Sequence, residues 1–458
     1  MYQRIFILQK LCIFAYFLYN IVMLKRKALD YLKKWKDSDK RLSLVIGGPR
    51  QIGKTFIVRE FAKEYDSYIE VNFIKNPSFI EYFKGDLDTN TLINGLSFAG
   101  VGSFIPYKTL VLFDEVQMCP EAITSLKFWS EDDRYDVIAT GSALGMHYNI
   151  SSYPVGYVDY YDMHPLDFEE FLWANSINDD QIRHLKEYFI NKKPIPTPIN
   201  DKMMDLLRLY MVLGGMPQIL DDYFKDKDLL KADDRQRTIY RDYINDIAIY
   251  ADPNIKIKAE ACYKSIPNQL SKPNHKFQYK VVEYKGNARK FSSSIDWLYN
   301  AGFIIPAYNV SLLSYPLEGY EIEDNFRIYN TDIGLLMAYY PFELKTAILN
   351  SDDNNIILKT IKGALYEALI ADFISKKGHP KTYFYKPGDD LEIEFIWENK
   401  DGVIPIEVKA GRKGTKSLNK VLESDDIPYA YKLADQNIGV SDKKITIPLW
   451  MMMFIDRS

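Results

Sequence analysis

Gly48-Pro49-Arg50-Gln51-Ile52-Gly53-Lys54-Thr55 fits the pattern G-x-x-x-x-G-K-[ST] at every fixed position. A loop of this length lets successive backbone N–H groups wrap the phosphates of a nucleotide, with glycine where a side chain would intrude. Lys54 then reaches the outer phosphates, Thr55 offers a hydroxyl to Mg²⁺, and a helix opening around Phe56 turns its positive end toward the same anion. Further along, Leu110-Val111-Leu112-Phe113 runs into Asp114 and Glu115. Asp114, at the end of a buried strand, can hold the water shell of Mg²⁺, and Glu115 can polarise the attacking water. That adjacent glutamate marks hydrolysis rather than a kinase-like transfer. Thr140 and Ser142 close the next apolar run. They either sense the terminal phosphate or the attacking water, or simply cap a turn.

A second constellation lies near the C-terminus. Leu391–Trp397 and Val403–Lys409 alternate as two strands joined by a turn at Asn399-Lys400-Asp401-Gly402. Leu391, Ile393, Phe395 and Trp397 share one face, which leaves Glu392 and Glu394 on the other. Ile404, Ile406 and Val408 likewise oppose Glu407 and Lys409. Glu394, Glu407 and Lys409 therefore converge, with Glu367 arriving from a helix over 363–376. Two carboxylates and a lysine suit a Mg²⁺-dependent phosphodiesterase: Glu394 and Glu407 hold the metal, and Lys409 orients water and stabilises charge on phosphate. A hairpin with a charged, solvated face accounts for the same residues. Arg412, Lys413, Lys416 and Lys420 would suit a phosphate backbone, or face water.

The elements that must position these groups follow in order. Ser43–Ile46 reads as a buried strand, Phe56–Tyr65 as a helix and Ser67–Phe73 as an alternating strand. Leu110–Asp114, Asp136–Thr140 and Val155–Met163 supply three more strands, with helical stretches through Leu92 and Leu96 and over Pro120–Trp129. Asp179–Asn200, polar and broken by Pro194, Pro196 and Pro198, reads as a linker or irregular excursion. Helices are expected over Arg237–Tyr250, Glu260–Leu270 and Asn287–Tyr299, and short strands at Ile304–Tyr308 and Phe326–Tyr329.

From Met23 onward the chain resembles AAA-type ATPases of bacteria and archaea that carry a C-terminal domain similar to restriction endonucleases. The residues that carry the resemblance are the GPRQIGKT loop, Phe113–Gln117, Thr140–Ser142, Pro165–Leu172 (PLDFEEFL) and Gly214-Gly215-Met216-Pro217. It implies ATP and Mg²⁺ as cofactors, and Gly215 and Pro217 lying against the nucleotide base, although Gly-Gly-x-Pro also reads as a helix stop and restart. It further implies a winged-helix-like segment whose third helix carries Arg289 and Lys290. Ile406-Glu407-Val408-Lys409 is similar to the second half of the PD-(D/E)xK nuclease pattern. Glu394 stands where that pattern usually has Asp, which moves the carboxylate by roughly 1.5 Å, a shift to which catalytic geometry is sensitive. Related chains often have an arginine just before the fifth strand that reaches a neighbour's phosphate. Ser152–Tyr157 has none, leaving Arg134, Arg208 and Arg241 as substitutes and a slow switch as a better reading than a ring motor.

The expected architecture is α/β: an AAA+/ASCE-like P-loop domain with a parallel sheet (24–175), a helical lid (176–235), a winged-helix-like segment (236–345) and a restriction-endonuclease-like α/β domain (346–458). At 458 residues the chain exceeds a single core. Its net charge of −4 weighs against a coat of sequence-independent nucleic-acid affinity, while leaving room for a DNA or protein partner. Cys12, Cys119 and Cys262 and the five histidines form no metal or redox spacing, which points to a reducing, cytoplasmic setting. Leu11–Leu24 is uncharged and mostly apolar. It reads first as an upstream extension before a start at Met23, and second as a tethering helix, for which about 20 apolar residues suffice. A secretory signal would show a cleavage site that is not visible.

Overall fold

Helix α1 (Lys27–Lys36) buries Ala28, Leu32 and Trp35, spaced i, i+4 and i+7, and lays Trp35 against Phe61. It leads into an alternation of strands and helices: β1 (Ser43–Gly47), α2 (Lys54–Phe61), β2 (Ser67–Asn72), α3 (Thr89–Phe98), β3 (Thr109–Asp114), α4 (Pro120–Asp132), β4 (Asp136–Thr140) and β5 (Val158–Asp162). The computed structural model describes residues 24–141, 154–272, 275–352, 354–378, 381–411 and 415–456. The apolar stretch before Leu24, Ser142, Ser152 and Tyr153, Arg412 and Lys413 lie outside them.

The five strands pair in parallel in the order β2-β3-β4-β1-β5. β1 and β3 are buried along their whole length, as parallel strands covered on both faces must be. Leu44, Ile46, Leu110, Leu112 and Ile138 pack with Ile57, Val58 and Phe61 of α2 on one face. Val45, Val111, Phe113, Val137 and Ala139 pack with Leu92, Leu96, Leu126 and Trp129 of α3 and α4 on the other. The register aligns Asn72 with Asp114 and Asp114 with Thr140, so three polar residues form one row where the strands end.

Next come α5 (Phe168–Ala174), α6 (Asp179–Ile190), α7 (Thr197–Leu213), α8 (Pro217–Asp226), α9 (Leu229–Tyr250), α10 (Pro253–Leu270) and α11 (Ala288–Asn300). The segment expected as a linker is mostly α6. Asn178 and Gln181 form a reciprocal capping box, Ile182 and Leu185 are buried, and the prolines come only after the helix has ended. The connection is pinned as well: the Asn437 side chain accepts from Ile195 N–H at 2.9 Å and donates to the Ile195 carbonyl at 2.7 Å. Polarity had suggested a solvated loop, but here it belongs to the outer face of a helix.

The remaining elements are β6 (Ile304–Val310), β7 (Glu321–Asn330), α12 (Ile333–Met337), α13 (Phe342–Leu349), α14 (Ile356–Ser375), β8 (Thr382–Gly388), β9 (Leu391–Asn399), β10 (Gly402–Lys409), α15 (Lys416–Val421), β11 (Ala430–Ala434), β12 (Gly439–Ser441) and β13 (Lys444–Pro448). The β6–β7 hairpin does not stand apart as a wing. β6 pairs in parallel with β8 from Ala307↔Thr382 to Val310↔Tyr385, making one mixed sheet ordered β12-β13-β11-β10-β9-β8-β6-β7. The sheet therefore runs across the division expected near residue 346. No helix among the described residues is long and apolar enough to cross a membrane.

Candidate functional site

The phosphate loop is fixed from beneath before its own geometry matters. Arg26, just ahead of α1, is buried, pairs with Glu170 at 3.1 Å and donates to the Ile52 carbonyl at 3.0 Å and the His164 carbonyl at 2.6 Å. Gly48 has φ +131°, and a Cβ there would stand 2.1 Å from the Met163 carbonyl oxygen. Only glycine lets the loop leave β1 so close to the chain emerging from β5. Gln51 is also left-handed (φ 62°), Gly53 caps α2, and Phe56 is half exposed in its first turn.

Lys54 Nζ donates to the carbonyls of Gly48 at 2.9 Å and Pro49 at 2.6 Å, so the ammonium sits inside the curve of the loop. Burial pushes Lys54 down to about 8, against the pull of Glu115 and Asp114. Asp114 is the hub of the strand ends. Its Oδ1 accepts from Thr55 Oγ1 at 3.0 Å and Thr140 Oγ1 at 2.5 Å, and its Oδ2 from Asn72 Nδ2 at 2.7 Å. A hydroxyl and a carboxylate at this separation, next to a phosphate cradle, are oxygen ligands that a hard divalent cation takes, so Thr55 and Asp114 fit Mg²⁺. Thr140 faces the carboxylate, a role neither sequence reading included.

Glu115 adopts a left-handed backbone (φ 61°, ψ 43°), a sparsely populated conformation that tends to persist at functional positions. Its Oε2 accepts from Gln117 Nε2 at 2.5 Å, while Gln117 Oε1 is buried without a hydrogen-bond partner among the described residues.

The GGMP turn divides its work. Pro217, opening α8, lies 3.9 Å from where a Cβ on Gly53 would be, beside the loop. Gly215 instead donates its N–H to Asp332 Oδ2 at 2.7 Å, and a Cβ on it would meet the Leu166 carbonyl at 2.0 Å. Arg50 and Gln51 turn their side chains toward α9, where Asp246, Tyr250 and Asp242 receive them. Of the three substitute arginines, Arg134 precedes β4, at the end of the strand opposite Thr140, and pairs with Asp132; Arg208 pairs with Asp205 and Arg241 contacts Thr238.

Residues 40–172 match the family model of an AAA domain. Residues 204–346 and 362–452 match two domains of unknown function, DUF8612 and DUF4143. No curated protein matches the chain. Among solved structures, the Walker-type ATPase PABY2304 of Pyrococcus abyssi is similar at 12% identity and TM-score 0.42, over 69% of this chain and 96% of that one. The ORC1 protein of Aeropyrum pernix in complex with DNA is similar at 12% identity and TM-score 0.28, over 72% and 92%. AMPPCP-bound DnaA of Aquifex aeolicus is similar at 12% identity and TM-score 0.30, over 76% and 93%.

Away from the AAA domain, Glu394, Glu407 and Lys409 do meet. Lys409 Nζ lies 3.0 Å from Glu394 Oε1 and 3.3 Å from Glu407 Oε1, and Glu394 Oε2 accepts from Val408 N–H at 3.0 Å. Burial pushes Glu394 up to about 7 although Lys409 opposes it, and burial also raises Glu407. The two carboxylates expected to hold a metal are thus bridged by an ammonium, and among the described residues no group of three or more His, Cys, Asp or Glu is arranged to hold a metal ion.

Glu367 has other partners. Its Oε2 accepts from Arg327 Nη1 at 3.1 Å and lies 2.9 Å from His275 Nδ1. Burial works to raise this carboxyl, but His275, Arg327 and Lys409 together hold it below the usual range. Arg327 is fully buried, lies 4.2 Å over the Phe384 ring and pairs also with Glu392, which Lys386 holds at 2.6 Å. Sequence reasoning missed Arg327 and His275, whose only signal was an arginine inside the apolar strand Phe326–Tyr329. It gave Asn72 and Gln117 no role at the site, although both lie in stretches it singled out.

Proposed function

We propose that the chain is a Mg²⁺-dependent ATPase of the cytoplasm working as a nucleotide-driven switch, which couples its nucleotide state to DNA binding by the segments beyond the AAA domain. The observation that carries this reading is the carboxylate of Asp114, bonded at once by Thr55, Thr140 and Asn72 and flanked by Lys54 and a left-handed Glu115. The loop N–H groups would take the phosphate oxygens, and the Lys54 ammonium would exchange the Gly48 and Pro49 carbonyls for them. Mg²⁺ held by Thr55 and Asp114 would neutralise charge on those oxygens. Glu115, steadied by Gln117, would take a proton from water as its oxygen bonds to the γ-phosphorus and the bond to the bridging oxygen breaks.

Binding rather than cleavage is the role we assign to the C-terminal sheet, because Lys409 bridges Glu394 and Glu407 and Arg327 occupies Glu367 and Glu392. Arg289 on α11 and Lys416 and Lys420 on α15 supply basic side chains for a phosphate backbone. Lys54→Ala should abolish ATP binding, and Glu115→Gln should bind without turnover. Equal turnover in both variants and the wild type refutes the site. Incubation with DNA and Mg²⁺ or Mn²⁺ should give ATP-dependent retardation without cutting. Cutting that is lost in Lys409→Ala would restore the nuclease reading.

A further inference from the structure

Helix α9 presents a row of polar side chains to the tip of the phosphate loop. Asp242, Asp246 and Tyr250 follow one another at i, i+4 and i+8 on one face, with Tyr243 beside them. Tyr243 OH donates to the Arg50 carbonyl at 3.0 Å, and Gln51 Nε2 donates to Asp242 Oδ2 at 2.9 Å. Arg50 gives Nη1 to Asp246 Oδ1 and Nη2 to Tyr250 OH, both at 2.6 Å, and its guanidinium lies 4.5 Å over the Tyr250 ring. Two loop residues are thus strapped to a helix that begins well outside the AAA domain.

Packing alone does not account for this strap. Asp246 is buried and Arg50 largely so, and taking such a pair out of water offsets most of its attraction, so apolar side chains would hold the helix at least as well. The pair also sits in a loop shaped to receive an anion, and a planar guanidinium is the side chain best matched to phosphate oxygens. Arg50 feels Glu115 as well as Asp246 and Tyr250, which raise it against the effect of burial, and it depresses Lys54 in turn. It stands among the groups that would surround the terminal phosphate.

We propose that Arg50 is a phosphate-contacting arginine supplied in cis, for whose guanidinium the γ-phosphate and Asp246 compete. The inference rests on the nucleotide reading above and deepens it. A triphosphate draws Arg50 from Asp246 and loosens α9 from the loop. A diphosphate, lacking the competing group, leaves the strap closed. The loop then supplies in its own chain the cation that Ser152–Tyr157 lacks, and α9 carries the difference toward the C-terminal sheet.

The test uses the full chain with Mg²⁺ and measures binding of ADP and of a non-hydrolysable ATP analogue by calorimetry. Arg50→Ala should weaken the analogue by about 10- to 100-fold, the worth of a charge-assisted contact, and ADP by less than about threefold. Arg50→Lys should recover part of the loss, and Asp246→Asn, which frees the guanidinium, should tighten the analogue several-fold. Amide exchange across residues 242–250 should rise on adding the analogue but not ADP, and be high in Asp246→Asn with either. Equal losses for both nucleotides in Arg50→Ala, or exchange in α9 indifferent to the γ-phosphate, overturn the proposal while leaving the nucleotide site standing. A wild type that binds neither nucleotide overturns both.

Discussion

Lys376 Nζ lies 2.9 Å from Asp332 Oδ2 and 2.9 Å from Asp372 Oδ1, with all three side chains out of solvent. The same ammonium reaches Tyr210 OH on α7 at 2.8 Å and the Leu166 carbonyl at 3.2 Å, while Asp332 takes the Gly215 N–H. The chain leaving the AAA domain, the helical segment, the turn after β7 and α14 therefore meet at one buried ionic node. A buried ionic network of this kind specifies a single docking geometry, because any shift strands a charge.

Lys376→Ala should remove about 3–5 kcal/mol of stability, since two buried carboxylates are left facing each other. The denaturation midpoint checks this. A shift no larger than that of an exposed lysine such as Lys84→Ala would contradict the node's importance.

Burial pushes both Asp372 and Glu394 up to about 7, from ordinary values of 3.8 and 4.5. A carboxyl whose folded value is raised contributes stability that is complete below its unfolded value and is lost as pH rises through the folded one. Stability should therefore fall between about pH 4 and 7 on account of these groups. Glu394→Gln should flatten that slope, which thermal unfolding across the window measures; an unchanged slope would assign the loss elsewhere.

Glycine substitutions should split by sign. Gly215→Ala drives a Cβ to 2.0 Å from the Leu166 carbonyl, a backbone atom, and should destabilise by about 1–3 kcal/mol or prevent folding. Gly363→Ala, inside α14 with nothing within 4 Å, should stabilise by about 0.5–1 kcal/mol. The two melting temperatures, compared with wild type, decide it.

Gln117→Ala removes the amide that holds Glu115 Oε2 without touching the phosphate cradle. Turnover should fall about tenfold with ATP affinity unchanged, as expected for a lost positioning contact. An equal rise in Kd would place Gln117 in binding instead.

The phosphate loop, Asp114 and Glu115 were readable in the sequence because their chemistry is local: a glycine spacing and an acid at the end of a buried strand specify the geometry within a few residues. Strand alternation brought Glu394, Glu407 and Lys409 together, but it wrongly put Leu391 and Ile393 on one face with Phe395 and Trp397: a register shift in β9 between Ile393 and Ile396 sends the first two, with Ile396, to a different apolar cluster. The same reasoning failed at Asp179–Asn200, where polar residues on one side of α6 resembled a linker until Ile182 and Leu185 were seen to be buried.

What the sequence determined by itself is a nucleotide cradle and the elements that hold it, because hydrogen bonds and side-chain periodicity act over short separations. Only the tertiary structure decided the pairing of β6 with β8, the meeting of Arg327 with Glu367 and the strap of α9 over Arg50. Those contacts join residues 40 to 200 positions apart, and no local pattern encodes them. A buried charge takes whichever opposite charge the packing of apolar faces brings within reach, and that packing is a property of the whole chain.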